Sequence, residues 1–392
     1  MADQYREVRY VSWGEKIGGS CLGTILGLAL FVGSFFVLVW NEGMVDLSQL
    51  ARTAPELSAS VPNPAAEGKL VTLTGPVTSS QPLGDDLFLR PGNYIFVDRT
   101  VEMYGWKEDQ QIKTTKHFGG SETQETIYTY SKQWLNNPSD SSRFARAAEH
   151  SHPPKAIADQ LFRASNAQIG LYQLDPAAFS SVLNHRTSCT EDAISYQLSA
   201  SGINLPPGPP LSLTAQNTRL SQGAKLISSY IYQGTGTPQS PQVGDLRICY
   251  TALPASTTVT AVAQLQPQNR LQPYLQDDTR IYRMLLGSRA EAITSLKTEH
   301  RIWSWLFRGL GFLMMWLGLF LFAAPVSAIL DFIPILGDLS SAVAGVASFL
   351  IAFVLSAVTI LTASLLQSPL VLAGSVGVTL LALLLMRQLR RA

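Results

Sequence analysis

Few residues in this sequence stand in patterns that could do chemistry. His150 and His152 lie two apart, so in an extended segment both imidazoles would leave one face and could reach a metal ion, but no third ligand stands near them at a metal-site spacing. Glu102 and Glu108 flank Trp106, and paired carboxylates can divide acid and base roles; around an aromatic residue the same pair reads as the polar face of a strand. The chain has 3 cysteines and 5 histidines, with no Cys-x-x-Cys, His-Glu-x-x-His, Gly-x-Ser-x-Gly, P-loop or dinucleotide fingerprint. Cys189 and Cys249 fit a single bridge in an oxidising compartment, while Cys249 within Leu246 to Tyr250 reads equally as a small buried hydrophobe. The expectation is a non-enzymatic chain with no catalytic residue, no metal and no cofactor.

The elements that would position these residues divide sharply by charge. Of 392 residues, 46% are apolar and 15% charged, with a net charge of +1. Nearly all the charge lies between Glu42 and Arg308. No run of like charges offers a stripe to phosphates, so nucleic acid is not an expected partner. Ile17 to Trp40, Gly309 to Leu330, Leu339 to Leu366 and Pro369 to Met386 carry no charge, and at about 1.5 Å per helical residue each can cross a hydrocarbon core of ~30 Å. The bilayer is thus the first expected partner, and the first run is too long for a secretory signal. Arg6, Arg9 and Lys16 precede the first run and Arg387, Arg390 and Arg391 follow the last, so both termini are expected in the cytoplasm.

The expected class is a membrane protein with four transmembrane helices and a large β-rich α+β exoplasmic domain between the first and second. Its parts are a cytoplasmic 1–16, helix 17–40, exoplasmic domain 41–308, helix 309–330, a short cytoplasmic interfacial loop 331–338, helices 339–366 and 369–386, and a basic cytoplasmic tail 387–392. The loop contains Asp331 and Asp338 and no base, so it adds nothing to the orientation. No Asp, Glu, Lys, Arg or His lies inside the four runs, which counts against a proton relay.

Two stripes of small residues predict helix contacts. Gly19, Gly23 and Gly27 recur at four-residue spacing, and Ala344, Ser348, Ala352 and Ser356 do the same. Such faces let backbones approach closely, within a chain or between copies, and a homo-oligomer is expected.

In the soluble part, an Ala/Pro/Ser-rich linker over 51–67 leads to strand-like runs at 69–75, 94–101, 125–130, 168–172, 225–232, 245–251 and 257–264, separated by Gly, Pro and Asn clusters. Helical patterns are expected over 154–167, 176–183 and 282–298, and a loop over 199–210.

Several segments jointly resemble the LUMA family: Asn41-Glu42-Gly43 after the first helix, Glu102, Tyr104 and Trp106, Tyr128 and Tyr130 with Trp134, Gly244, Asp245 and Arg247, and Asp331 and Pro334 with Asp338. The resemblance covers the chain from the first membrane helix onward. It implies a four-pass protein that associates with itself and with membrane or exoplasmic protein partners and helps to organise the membrane; a channel-like role is the alternative. The absence of Asn-x-Ser/Thr sites and the short N-terminal segment suit a bacterial inner membrane, with the ER or inner nuclear membrane as the eukaryotic counterpart.

Overall fold

The computed structural model describes residues 3–175, 189, 203–204, 210–221, 223–276, 279–330 and 334–367. In chain order these form β1 (Asp3–Val11), α1 (Trp13–Glu42), α2 (Leu47–Thr53), β2 (Glu56–Leu57), β3 (Leu70–Thr78), β4 (Tyr94–Lys116), β5 (Glu122–Leu135), β6 (Gln160–Arg163), β7 (Gln168–Ile169), β8 (Tyr172–Leu174), β9 (Ile203–Asn204), β10 (Ala224–Ile227), β11 (Tyr230–Gln233), β12 (Leu246–Pro254), β13 (Thr258–Gln266), β14 (Arg270–Gln272), β15 (Tyr274–Gln276), β16 (Thr279–Leu286), α3 (Arg289–Leu330) and α4 (Pro334–Gln367). Two compact units result: Met1–Tyr5 with Leu47–Gln110 and Tyr128–Lys297, and Arg6–Asp46 with Gln111–Ile127 and Thr298–Ala392.

The first unit is built on two sheets. One runs β1-β5-β4-β12-β11-β10 with β6 beside β4; in the other, β13 pairs with β3, β14 and β16. The alternation of side chains along a strand explains how both faces of β13 are used. Val259, Ala261, Ala263 and Leu265 enter the largest core with Val71, Leu73 and Tyr282. Val262 points the other way and is covered by Ala51 of α2 and Leu296 of α3. β12 is divided likewise. Leu246, Ile248, Tyr250 and Ala252 join Val97, Val101 and Met103 in a second core, while Cys249 packs with Tyr230 and Tyr232 on the opposite face.

In the second unit α1, α3 and α4 carry stretches long and apolar enough to cross a membrane, within Trp13–Thr53, Arg289–Pro325 and Ala342–Leu366. Leu38, Met315 and Ala352 form their buried centre. Trp316 Nε1 donates to the Gly345 carbonyl at 3.0 Å, joining α3 to α4. The same unit holds the tip of the β4–β5 hairpin, where Lys16 pairs with Glu122 at 3.2 Å and Arg6 with Glu125 at 3.3 Å.

Several expectations change. Residues 160–163 are a strand on β4, not part of a helix over 154–167: Leu161 and Phe162 are adjacent, and pairing with Asp98 and Val97 decides their conformation. The linker over 51–67 is ordered, with Ala51, Ala54, Leu57 and Ala66 buried. Residues 282–286 complete β16, so α3 starts only at Arg289. Pro334 opens α4, where its missing N–H costs nothing, so the helix begins inside the expected 331–338 loop. β1 was not expected at all. It is hydrogen-bonded to β5 at the edge of the first sheet. The expected helices over 176–183 and 369–386, and the tail 387–392, lie outside the described residues.

Candidate functional site

Of the residues that carry the family resemblance, Glu102, Tyr104, Trp134 and Arg247 come together on one face of one sheet. β12 lies against β4 with Arg247 opposite Glu102 and Cys249 opposite Thr100, so the even residues of β4 and the odd residues of β12 project to the same side. On it, Trp134 packs 5.3 Å from Tyr104 and 6.3 Å from Tyr232, centroid to centroid. The Arg247 guanidinium sits 4.0 Å from the Trp134 ring centroid and 5.0 Å from that of Tyr230, held by the negative ring faces. Cys189 and Cys249 are bridged beneath this layer, which decides between the two readings of Cys249.

Further along the hairpin, His150 is stacked on Tyr130 at 3.8 Å and meets Trp106 edge-on at 4.7 Å. Lys132 covers the Trp106 ring at 4.7 Å, and Tyr128 stacks with Tyr5 of β1. The Tyr130 hydroxyl donates to Glu108 Oε2 at 2.7 Å and accepts from the Arg146 N–H at 3.0 Å. Burial, followed by the Glu108 carboxylate, pushes the Tyr130 phenol well above its usual range, so it stays a donor. Glu108 also accepts from the Ala145 N–H at 2.7 Å. The Glu102/Glu108 pair is thus not a pair of free carboxylates around Trp106.

Gly244 and Asp245 close a loop. Gly244 adopts φ +100, a conformation open to glycine, and its N–H donates to the Tyr104 carbonyl at 2.8 Å. The buried Asp245 carboxylate accepts from Thr235 N–H at 2.9 Å, Gly236 N–H at 3.2 Å, Gln242 N–H at 2.7 Å and the Tyr232 hydroxyl. Asn41, Glu42 and Gly43 occupy the end of α1. The Asn41 amide donates to Glu42 Oε1, and the Gly43 N–H caps the Trp40 carbonyl. Asp331 and the side chains of Pro334 and Asp338 lie outside what is described.

His150 and His152 do not form a shared metal site. His152 contacts the Pro153 carbonyl through Nδ1, whereas His150 Nε2 faces Asp3 at 2.9 Å. Asp3, Glu149 and His150 present ligand atoms within 4.8 Å of one another, but Glu149 already holds Arg146 at 2.7 Å, a cation that opposes a metal ion.

One network escaped the sequence reading. Asp85 accepts from the Phe88 and Leu89 N–H groups at 2.7 and 2.6 Å, from Tyr250 at 2.6 Å and from Arg99 Nη1 at 2.9 Å. Burial raises the Asp85 carboxyl, but the Tyr250, Leu89, Phe88 and Arg99 hydrogen bonds outweigh it and hold the group below 3.8. Arg99 also borders a cavity of about 350 Å³ with Phe88, Ile157, Ser221 and Gln233. Gly84-Asp85 is a turn signal; its partners at 99 and 250 are too distant in sequence to be seen.

Of the first small stripe, Gly27 packs within the chain. A Cβ at Gly27 would meet the Gly318 carbonyl at 2.8 Å, and one at Gly318 would meet the Gly27 carbonyl at 2.7 Å. Gly23 has only Leu321 nearby at 3.9 Å, and Gly19 has nothing within 4 Å. Ser348, Ala352 and Ser356 are buried and Ala344 is half-buried.

Apolar helices of spanning length joined to a large β-rich region define an integral membrane protein. The chain belongs to the transmembrane protein 43 family, whose model matches residues 103–369. It is 25% identical to human transmembrane protein 43 over 394 residues, covering 95% of this chain and 91% of the relative. The mouse protein is 24% identical, over 91% of this chain and 87% of its own length, and the Drosophila homologue 23% identical, over 75% and 74%. No solved structure matches.

Proposed function

We propose that this protein is a non-enzymatic membrane scaffold, whose helices anchor a disulfide-bridged β-rich domain that presents itself to protein or lipid partners in an oxidising compartment. The observation that carries the reading is the occupation of the polar residues around this sheet and at the end of α1. Glu108 holds Tyr130 and Ala145, Asp245 holds a loop, Arg247 lies between aromatic rings, and Glu42 grips Arg308. Each is spent on holding elements together rather than aimed at a substrate. The Cys189–Cys249 bridge supports an oxidising compartment, the periplasm in a bacterial inner membrane.

Self-association belongs to the same proposal. Gly27 is taken by α3, so a contact between copies through α1 would use the open region around Gly19. Two measurements test the reading. With Cys21→Ser as background, a cysteine at Ser139 should react with a membrane-impermeant maleimide in intact cells; reaction only after permeabilisation would place the domain in the cytoplasm and overturn the compartment. The same reagent at Ser121 reports the side taken by the hairpin tip and β1. Native mass of the detergent-extracted protein should exceed that of one chain, and a monomer at every concentration would end the self-association proposal.

A further inference from the structure

Within the second unit, the exposed apolar side of α3 does not stop where its charge-free run begins at Gly309. Leu317, Leu313 and Leu310 are 47%, 52% and 46% exposed, and Leu306, Trp305 and Ile302 continue them at 52%, 65% and 49%. Successive spacings of four, three, four, one and three residues keep all six on one side of a helix. Ile302 precedes Gly309 by seven residues, so at about 1.5 Å per residue the stripe reaches ~10 Å beyond the uncharged run.

Aromatic rings gather at the same level. Phe307 meets Trp40 of α1 edge-on at 5.2 Å and stacks with Trp303 at 5.3 Å. Trp40 is itself exposed. Two arginines lie among these rings. Arg301 and Arg308 are seven residues apart and share a face, with Trp305 between them and the Arg308 guanidinium 5.3 Å from its ring centroid. Arg301 is exposed. Arg308 meets Glu42 through Nε and Nη2, so the planar guanidinium turns the N–H groups of Nη1 away from that carboxylate.

We infer that the headgroup layer at the Glu42 end of α1 covers α3 from Ile302 to Arg308, and that Arg301 and the open edge of Arg308 bind the phosphates of anionic phospholipids. The occupant is lipid because the stripe runs unbroken into the exposed side of the membrane span beyond Gly309. Tryptophans and snorkelling arginines next to an apolar span are what a headgroup zone selects. The guanidinium fork fits a phosphate as it fits a carboxylate, and basic side chains are drawn to an anionic surface. The Glu42–Arg308 pair therefore sits at phosphate depth.

The test uses the full chain with Cys21→Ser, reconstituted in vesicles of phosphatidylcholine with phosphatidylglycerol, with an environment-sensitive fluorophore on a cysteine at Ile302. Blue-shifted emission is expected, quenched more by a nitroxide near the headgroup than by one at the acyl-chain end. The same fluorophore at Ser139 should keep water-like emission. Water-like emission at Ile302 would put the membrane boundary at Gly309 and overturn the inference. Blue-shifted emission that no lipid-borne nitroxide quenches would overturn it too, because protein would then cover the stripe. The same label reads the headgroup preference. At equal content, nitroxide-bearing phosphatidylglycerol should quench it more than nitroxide-bearing phosphatidylcholine, by up to about five-fold, the factor one basic side chain contributes near an anionic surface. Arg301→Gln should lower that ratio and Arg301→Lys should keep it, both at an unchanged thermal midpoint. An unchanged ratio in Arg301→Gln would remove the phosphate site, and a fallen midpoint would make Arg301 a packing residue instead.

Discussion

Glu42, at the last turn of α1, and Arg308, where α3 turns apolar, form a bidentate ion pair, with Arg308 Nε to Oε1 at 2.8 Å and Nη2 to Oε2 at 2.9 Å. The Glu42 side chain is 6% exposed and the Asn41 amide braces it from behind. The planar fork of arginine matches a carboxylate in a way that a lysine ammonium cannot. A clamp at this position sets the spacing of two helices where they leave the membrane, and gives Asn41-Glu42-Gly43 a structural role.

Glu42→Gln should therefore cost about 2 kcal/mol, the scale of a lost charge-assisted hydrogen bond, and lower the thermal midpoint in detergent. Arg308→Lys should lose most of the same amount despite keeping the charge. Unchanged midpoints for both would show that the pair contributes nothing measurable.

The Cys189–Cys249 bridge ties together residues 60 apart in sequence. Closing a loop of that size removes much denatured-state freedom, and loss of such a bridge costs about 2–5 kcal/mol. Cys249→Ser should lower stability by that order. Under non-reducing conditions, thiol counting on the unmodified unfolded protein should find Cys21 alone. Two further reactive thiols would exclude the bridge.

The membrane helices and the β-rich class were legible because both rest on local pattern: charge-free length for the helices, period-two alternation for β3, β12 and β13. What stayed hidden depends on distant partners. Nothing near Leu161 announces that 160–163 will add to β4, and nothing in Asp3–Val11 announces a strand, since five of its nine residues are polar or charged without alternation. The candidate site behaved similarly. Trp134, Arg247 and Asp245 could be named from their resemblance to a family pattern, but the tyrosines at 230 and 232 and His150 enter only through sheet register and loop packing. The glycine stripe could be seen, and its partner could not: Gly318 lies far along the chain.

The Asp85 cluster gives stability a definite sign with pH. The folded carboxyl lies below 3.8, so its contribution is fully present above that value and is lost as pH falls through the lowered folded value. Tyr250→Phe removes one donor, raises the folded value toward the unfolded one and should cost about 1 kcal/mol at neutral pH. Acid unfolding followed by circular dichroism should then begin at higher pH than in the unmodified protein. An acid transition that is unmoved while neutral stability drops would mean that Tyr250 acts through packing alone.

The two ends of the α1 glycine stripe should respond differently to the same change. At Gly27 the backbones of α1 and α3 are in contact: a Cβ there would fall 2.8 Å from the Gly318 carbonyl and 2.9 Å from Leu321 Cβ. Neither neighbour is the end of a flexible side chain, so a leucine must drive the helices apart and expose the packing around Leu38, Met315 and Ala352. In a bilayer such packing is the main source of helix association, because lipid removes the hydrophobic drive. Gly27→Leu should cost about 1–3 kcal/mol, as overpacking does, and reduce the yield of folded protein. Gly19 has open space around it, so Gly19→Leu should leave the thermal midpoint unchanged. If copies meet through this end of α1, the same variant should shift native mass toward the monomer. Equal loss of oligomer from both variants at undiminished stability would show instead that the whole stripe faces a second copy, and would remove Gly318 as the partner of Gly27.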